Sequence, residues 1–97
     1  SVDENAWEMV IQDGLIPAKY TKSQTVVFEK LDIEILVAMN EEETEFYLSF
    51  NAFGDDQLLY GTIADGVPTV EYDKTGFFTN DVPTIIGSVQ EDAWQQL

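Results

Sequence analysis

The sequence predicts an α+β fold: an N-terminal helix, an antiparallel meander sheet of four to six strands and a C-terminal helix, packed as a two-layer sandwich. Three observations predict it. Apolar residues follow helical spacing at both ends, apolar and polar residues alternate through the middle, and turn residues punctuate that middle at short intervals. Each predicted strand has one apolar face, and the two helices are the available cover for it. Residues 1–97 are read as a single acidic domain.

The first element is an amphipathic helix over Asp3 to Asp13. Ser1 and Glu4 have capping-box spacing, and Ala6, Trp7, Val10 and Ile11 share one face. Gly14 suits a left-handed cap, and Pro17 stops continuation. Thr25 to Lys30 is a short β-branched run. Asp32 to Met39 alternates, with Ile33, Ile35, Val37 and Met39 on one face and Asp32 and Glu34 on the other. Asn40 to Glu43 is a polar turn, and Thr44 to Phe53 alternates again through Phe46, Leu48, Phe50 and Ala52. Gly54-Asp55-Asp56 reads as a second turn, Gln57 to Ile63 as a strand, Asp65-Gly66 as a turn and Thr69 to Tyr72 as a further strand. Asp73-Lys74-Thr75-Gly76 is a tight turn with glycine in its left-handed position, leading into Phe77-Phe78. The last element is a helix over Val82 to Gln96 with Asp81 as its N-cap, although Gly87 weakens it by about 1 kcal/mol relative to alanine.

Charge is the compositional outlier. Nineteen carboxylates face four lysines, for a net charge of −15, while 44% hydrophobic and 12% aromatic residues supply a core. An acidic disordered tail would be poor in aromatics. Self-repulsion costs such a fold stability, and salt relieves part of the cost. Solubility alone, or a halophilic origin, also explains the acidity. The negative charge opposes direct binding of nucleic acid or anionic membranes. With no long apolar run and no signal-peptide pattern, a cytoplasmic location is expected.

The missing residue types narrow the chemistry further. The chain has no histidine, cysteine or arginine. The usual general base, thiolate nucleophile, thiolate metal site and phosphate clamp are therefore absent, and no enzyme activity, catalytic residue or cofactor is expected. Acidic turns such as Glu41-Glu42-Glu43 and Asp55-Asp56 offer hard oxygen ligands, yet the EF-hand pattern is missing, and no metal site is expected.

What remains is a surface for a partner. Residues two apart on a strand face are separated by about 6.6–6.8 Å, which would give Asp32 and Glu34 a phosphate-like spacing. Glu29, Asp32, Glu34, Glu41, Glu42, Glu43, Glu45, Asp55 and Asp56 are the candidate partner-binding carboxylates. Tyr47, on the face opposite Phe46, Leu48 and Phe50, is the candidate aromatic contact. The partner expected is a basic, nucleic-acid-binding protein, with no direct nucleic-acid or membrane contact and with homodimerisation left open. The chain would then be an inhibitor that occupies a basic site on a nuclease or other DNA- or RNA-binding protein, DNA mimicry being one form of that action. In size, charge and fold class alone, it resembles the small acidic inhibitors of phages and mobile elements and the bacterial immunity proteins. The competing expectation is a non-enzymatic structural or assembly subunit of a larger complex, such as a phage particle, docking through a helix stripe or a free strand edge.

Overall fold

The computed structural model describes residues 16–97, so the predicted helix over Asp3 to Asp13 lies outside the described residues. The described residues form a six-stranded antiparallel sheet: β1 (Lys22–Phe28), β2 (Ile33–Met39), β3 (Glu45–Ala52), β4 (Asp55–Ala64), β5 (Val67–Asp73) and the short β6 (Gln95–Gln96). Strand order is β5-β4-β3-β2-β1-β6. The first five strands are a simple meander, and the C-terminal residues return to the far edge, where Lys22 pairs with Gln96 and Ser23 with Gln95.

One face of the sheet follows the predicted alternation. Val26, Phe28, Ile35, Val37, Met39, Phe46, Leu48, Phe50, Ala52 and Leu59 point to this side and form the main core. Fully burying a side chain of this size contributes about 1.5–3 kcal/mol, far more than a surface ion pair, so this layer dominates stability. Phe78, Val82 and Ile85 cover it. A register shift at Tyr60/Gly61 leaves Glu71 as the extra residue of β5. Gly61 belongs there because a Cβ would collide with the Thr69 carbonyl and press on the Phe46 ring.

The opposite face carries the second apolar cluster. Ala38, Tyr47, Tyr60 and Tyr72 line up across β2, β3, β4 and β5 by register. Leu36 and Leu58 lie beside them, and Ile16 and Tyr20 pack on the cluster from the segment that precedes β1. The Tyr60 and Tyr72 rings stack at 5.3 Å, and Tyr20 meets Tyr47 at 5.7 Å. The middle of the sheet is therefore covered on both sides.

The C-terminal helix departs from expectation. Only α1 (Val82–Gly87) is helical, preceded by a 3-10 turn (Thr79–Asp81) and followed by another (Glu91–Ala93) before β6. Gly87 and Ser88 end it, with the Ser88 N–H turned back to the Ile85 carbonyl at 3.0 Å. Beyond that point Gln24 captures the chain. Its side-chain amide donates to the Gln90 carbonyl at 2.9 Å and accepts from the Gln90 N–H at 3.0 Å, imitating a strand partner. Ile86 packs on the core from the end of α1, and Val89 and Trp94 do so from the non-helical backbone beyond it. Asp81 precedes the helix without a side-chain capping bond, and its carboxylate instead accepts from Lys30 at 3.2 Å. The fold among the described residues is thus dominated by its sheet, with one short helix on one face.

Two boundary corrections matter for the surface. Asp32 is not in β2: the Glu29 to Asp32 turn closes through Leu31 N–H to Phe28 O and Asp32 N–H to Glu29 O, and Asp32 sits at φ 51°. The expected strand spacing of Asp32 and Glu34 is lost with it. The β3–β4 turn is Phe53-Gly54 rather than Gly54-Asp55-Asp56, since Ala52 pairs with Asp55 and Asn51 with Asp56.

Candidate functional site

The lysines are the first constraint on the surface charge, because all four are engaged. Lys19 pairs with Glu45 at 2.7 Å, Lys22 with Glu43 at 2.8 Å, Lys30 with Asp81 at 3.2 Å and Lys74 with Asp55 at 3.6 Å. No further lysine or arginine exists in the chain to neutralise the remaining carboxylates.

Meander topology divides the predicted site into two ends. The β1–β2 and β3–β4 turns lie at one end of the sheet, carrying Glu29, Asp32, Glu34, Asp55 and Asp56. The β2–β3 turn lies at the other, carrying Glu41, Glu42, Glu43 and Glu45. Strands of seven or eight residues hold the two groups roughly 20–25 Å apart. Tyr47 joins neither group. It lies mid-sheet with only 4% of its surface accessible, so it is part of the second apolar cluster rather than an exposed aromatic contact.

The Glu41 to Glu45 end is built largely for structure. Asn40 organises its turn: the side-chain carbonyl accepts from the Thr44 and Glu45 N–H groups, both at 2.9 Å, and its amide donates to Thr44 Oγ1 at 2.8 Å. Glu41 accepts from Thr21 Oγ1. Glu43 is held by Lys22, whose ammonium lies 5.0 Å from the Trp94 ring centre, while Trp94 Nε1–H donates to Glu91. The Lys22 ammonium keeps the Glu43 carboxyl below its ordinary range, with smaller help from the Glu91 hydrogen bond and against the cost of burial. Nearby, burial pushes the Tyr20 phenol well above its ordinary value, reinforced by the Glu45 charge, and burial raises Tyr47 likewise.

The other end presents something different. Phe53 and Phe77 are 75% and 73% exposed, the two most exposed large apolar side chains among the described residues. Both flank Phe78, which is buried: Phe53 stacks on it with ring centres 6.0 Å apart, and Phe77 is its chain neighbour. Phe77 is held outward by a well-bonded loop. One oxygen of Asp73 accepts from the Thr75 and Gly76 N–H groups at 3.2 and 3.0 Å, and the other accepts from Phe78 N–H and Thr79 Oγ1 at 3.0 and 2.9 Å. Gly76 takes the expected left-handed position at φ 78°. Phe53 also lies at positive φ, 58°, in the turn between β3 and β4. Asp55 and Asp56 begin the next strand beside it.

Sequence reasoning missed both phenylalanines as contacts. The signal was present. Two consecutive phenylalanines after a tight turn cannot both face one core, and a Phe-Gly pair between two alternating runs occupies a turn whose first position disfavours phenylalanine.

The remaining surface holds a groove of about 580 Å³ between the β1 edge and the Gly87 to Gln90 segment. Glu29 is the one ionisable residue in its lining, which otherwise offers amides, hydroxyls and aliphatic groups. Among the described residues, no three acidic side chains converge as a metal would require. No helix among them is long and apolar enough to cross a membrane. No protein-family model, curated protein or solved structure matches the chain.

Proposed function

We propose that the protein is an acidic inhibitor that binds a basic site on a nucleic-acid-handling protein, competing with nucleic acid for that site. The observation that carries this reading is the engagement of every lysine in the chain by a carboxylate, which leaves the carboxylates of Glu29, Asp32, Glu34, Glu41, Glu42 and Asp56 without a lysine partner. Those groups are held on turns and strand ends of a fixed sheet. A lysine- and arginine-lined site is the complement of such a field, and association with it is fast at low salt and falls steeply as salt rises. The mimicry in this reading is one of field and of clustered carboxylates at two ends, not of a regular ladder along one strand.

A capture experiment tests it. The immobilised protein is exposed to lysate of its source cell at low salt, and bound material is eluted with rising salt or with excess duplex DNA. The expected result is a basic nucleic-acid-binding protein released by both. A partner held through a high-salt wash and indifferent to DNA contradicts the reading.

One observation favours the alternative, an assembly subunit. Beyond Ser23 the outer edge of β1 has no strand partner among the described residues, and Val27 on it is 55% exposed. Such an edge can accept a strand from another chain. Thr25→Pro would abolish binding on that reading and leave electrostatic binding unchanged.

A further inference from the structure

Phe53 and Phe77 are the starting point, because neither ring is needed outside to build the fold. Phe53 occupies a turn position where asparagine, aspartate or glycine is the ordinary choice. Phe77 is turned to water by a loop that buries its neighbour Phe78 and fixes the backbone through Asp73. Both rings are therefore presented in advance, with little freedom left to lose on binding.

The charge around them decides what they can take. Asp55 and Asp56 follow Phe53 after Gly54, and Glu29 and Asp32 lie on the turn at the same end of the sheet. Lys74 reaches Asp55 at 3.6 Å, yet 62% of the Asp55 side chain stays exposed, and the Asp56 carboxylate accepts only from Asn51, so the tip keeps a net negative charge. A second copy of this chain, at net charge −15, would be repelled, and so would an anionic lipid surface. A cation with a flat apolar face suits both features. The guanidinium group of arginine stacks on aromatic faces and offers N–H donors to carboxylates from its edge, whereas the lysine ammonium is compact and strongly hydrated.

We propose that this tip reads arginine: guanidinium groups of a basic protein stack on Phe53 and Phe77 while Asp55 and Asp56 accept from their N–H groups. This deepens the inhibitor reading and rests on it, since it names the side chain by which the basic partner is recognised. It also separates the two ends of the sheet. The Glu41 to Glu45 end contributes field, and the phenylalanine end contributes discrimination.

The test is a titration of the full chain with an oligo-arginine peptide and an oligo-lysine peptide of equal length, followed by calorimetry and by amide chemical shifts. The wild type is expected to prefer the arginine peptide by about fivefold or more at near-physiological salt. The largest shifts are expected at 53–56 and 75–78. Phe53→Asn with Phe77→Ser should bring the arginine peptide down to the lysine level while leaving the lysine affinity unchanged. Phe77→Ser alone, in an exposed loop position, keeps the test open if the double variant folds poorly, and should lose part of the preference. Equal affinity for the two peptides, or a preference that survives the double variant, overturns the proposal while leaving the charge-based reading standing. Failure to bind either peptide even at low salt overturns both. Shifts confined to the Glu41 to Glu45 end overturn the assignment of the tip.

Discussion

Two hairpin turns in this sheet share a geometry and differ in chemistry. The β4–β5 turn is Asp65-Gly66, closed by the Ala64–Val67 pair, with φ values of 54° and 77°. The β3–β4 turn is Phe53-Gly54, closed by the Ala52–Asp55 pair, with φ values of 58° and 75°. Positive φ at both central positions is what a two-residue hairpin needs to match the twist of its strands. Aspartate tolerates it, and phenylalanine does so at a cost of about 1–2 kcal/mol. At Asp65 the local preference and the fold agree. At Phe53 the strands on either side impose the backbone against the preference of the residue. Departures from local preference without a matching packing gain concentrate at functional sites. Phe53 gains only a stack on Phe78 while three quarters of its surface stays in water.

The comparison extends to the two ends of the sheet, and breaking each end should have a different signature. The largest effect is expected from Asp73→Ala, which removes the acceptor for four hydrogen bonds and unlocks the loop that carries Phe77. Denaturant unfolding should show a loss of about 2–4 kcal/mol, and the arginine preference should fall with it. A loss below about 0.5 kcal/mol, as for an ordinary surface substitution, would mean that the loop is held by something else.

A smaller effect is expected at the opposite end. The Glu43 carboxyl is held below its ordinary value of 4.5 by Lys22, so its favourable contribution is fully present above that pH. It is lost as pH falls through the depressed folded-state value. Protonation of the other carboxylates relieves repulsion over the same range, so the comparison must be between variants. Glu43→Gln should be less stable than the wild type by about 0.5 kcal/mol at neutral pH, and the gap should close below pH 4.5. Binding of basic peptides should fall only through the lost unit of charge. A gap that widens in acid would reverse the assigned sign.

Most of the sheet was legible in the sequence because its information is local. Alternation through Ile33, Ile35, Val37 and Met39, and through Phe46, Leu48, Phe50 and Ala52, sets face and register together. The C-terminal segment was not legible for the converse reason. Val82, Ile85, Ile86 and Val89 satisfy helical spacing, but the bond that holds the segment extended comes from Gln24, 66 residues away from Gln90 in sequence. Tyr47 was misread because one polar-looking alternation hides a second covered face, visible only when Tyr60 and Tyr72 fall into register beside it. The acidic positions were found by composition, whereas their division into two ends required the strand order. Phe53 needed a turn to be placed one residue earlier, at Phe53-Gly54.

The central claim is that Phe53 is kept in its turn for what its exposed ring does and not for stability. Reciprocal exchange between the two turns tests it most directly. Equilibrium unfolding of Phe53→Asn and of Asp65→Phe should shift in opposite directions. Phe53→Asn should gain about 0.5–1 kcal/mol, the relief of the backbone exceeding the lost ring stack, while Asp65→Phe loses about 1–2 kcal/mol. A clear loss of stability in Phe53→Asn would contradict the account, because the phenylalanine would then be explained by its packing on Phe78.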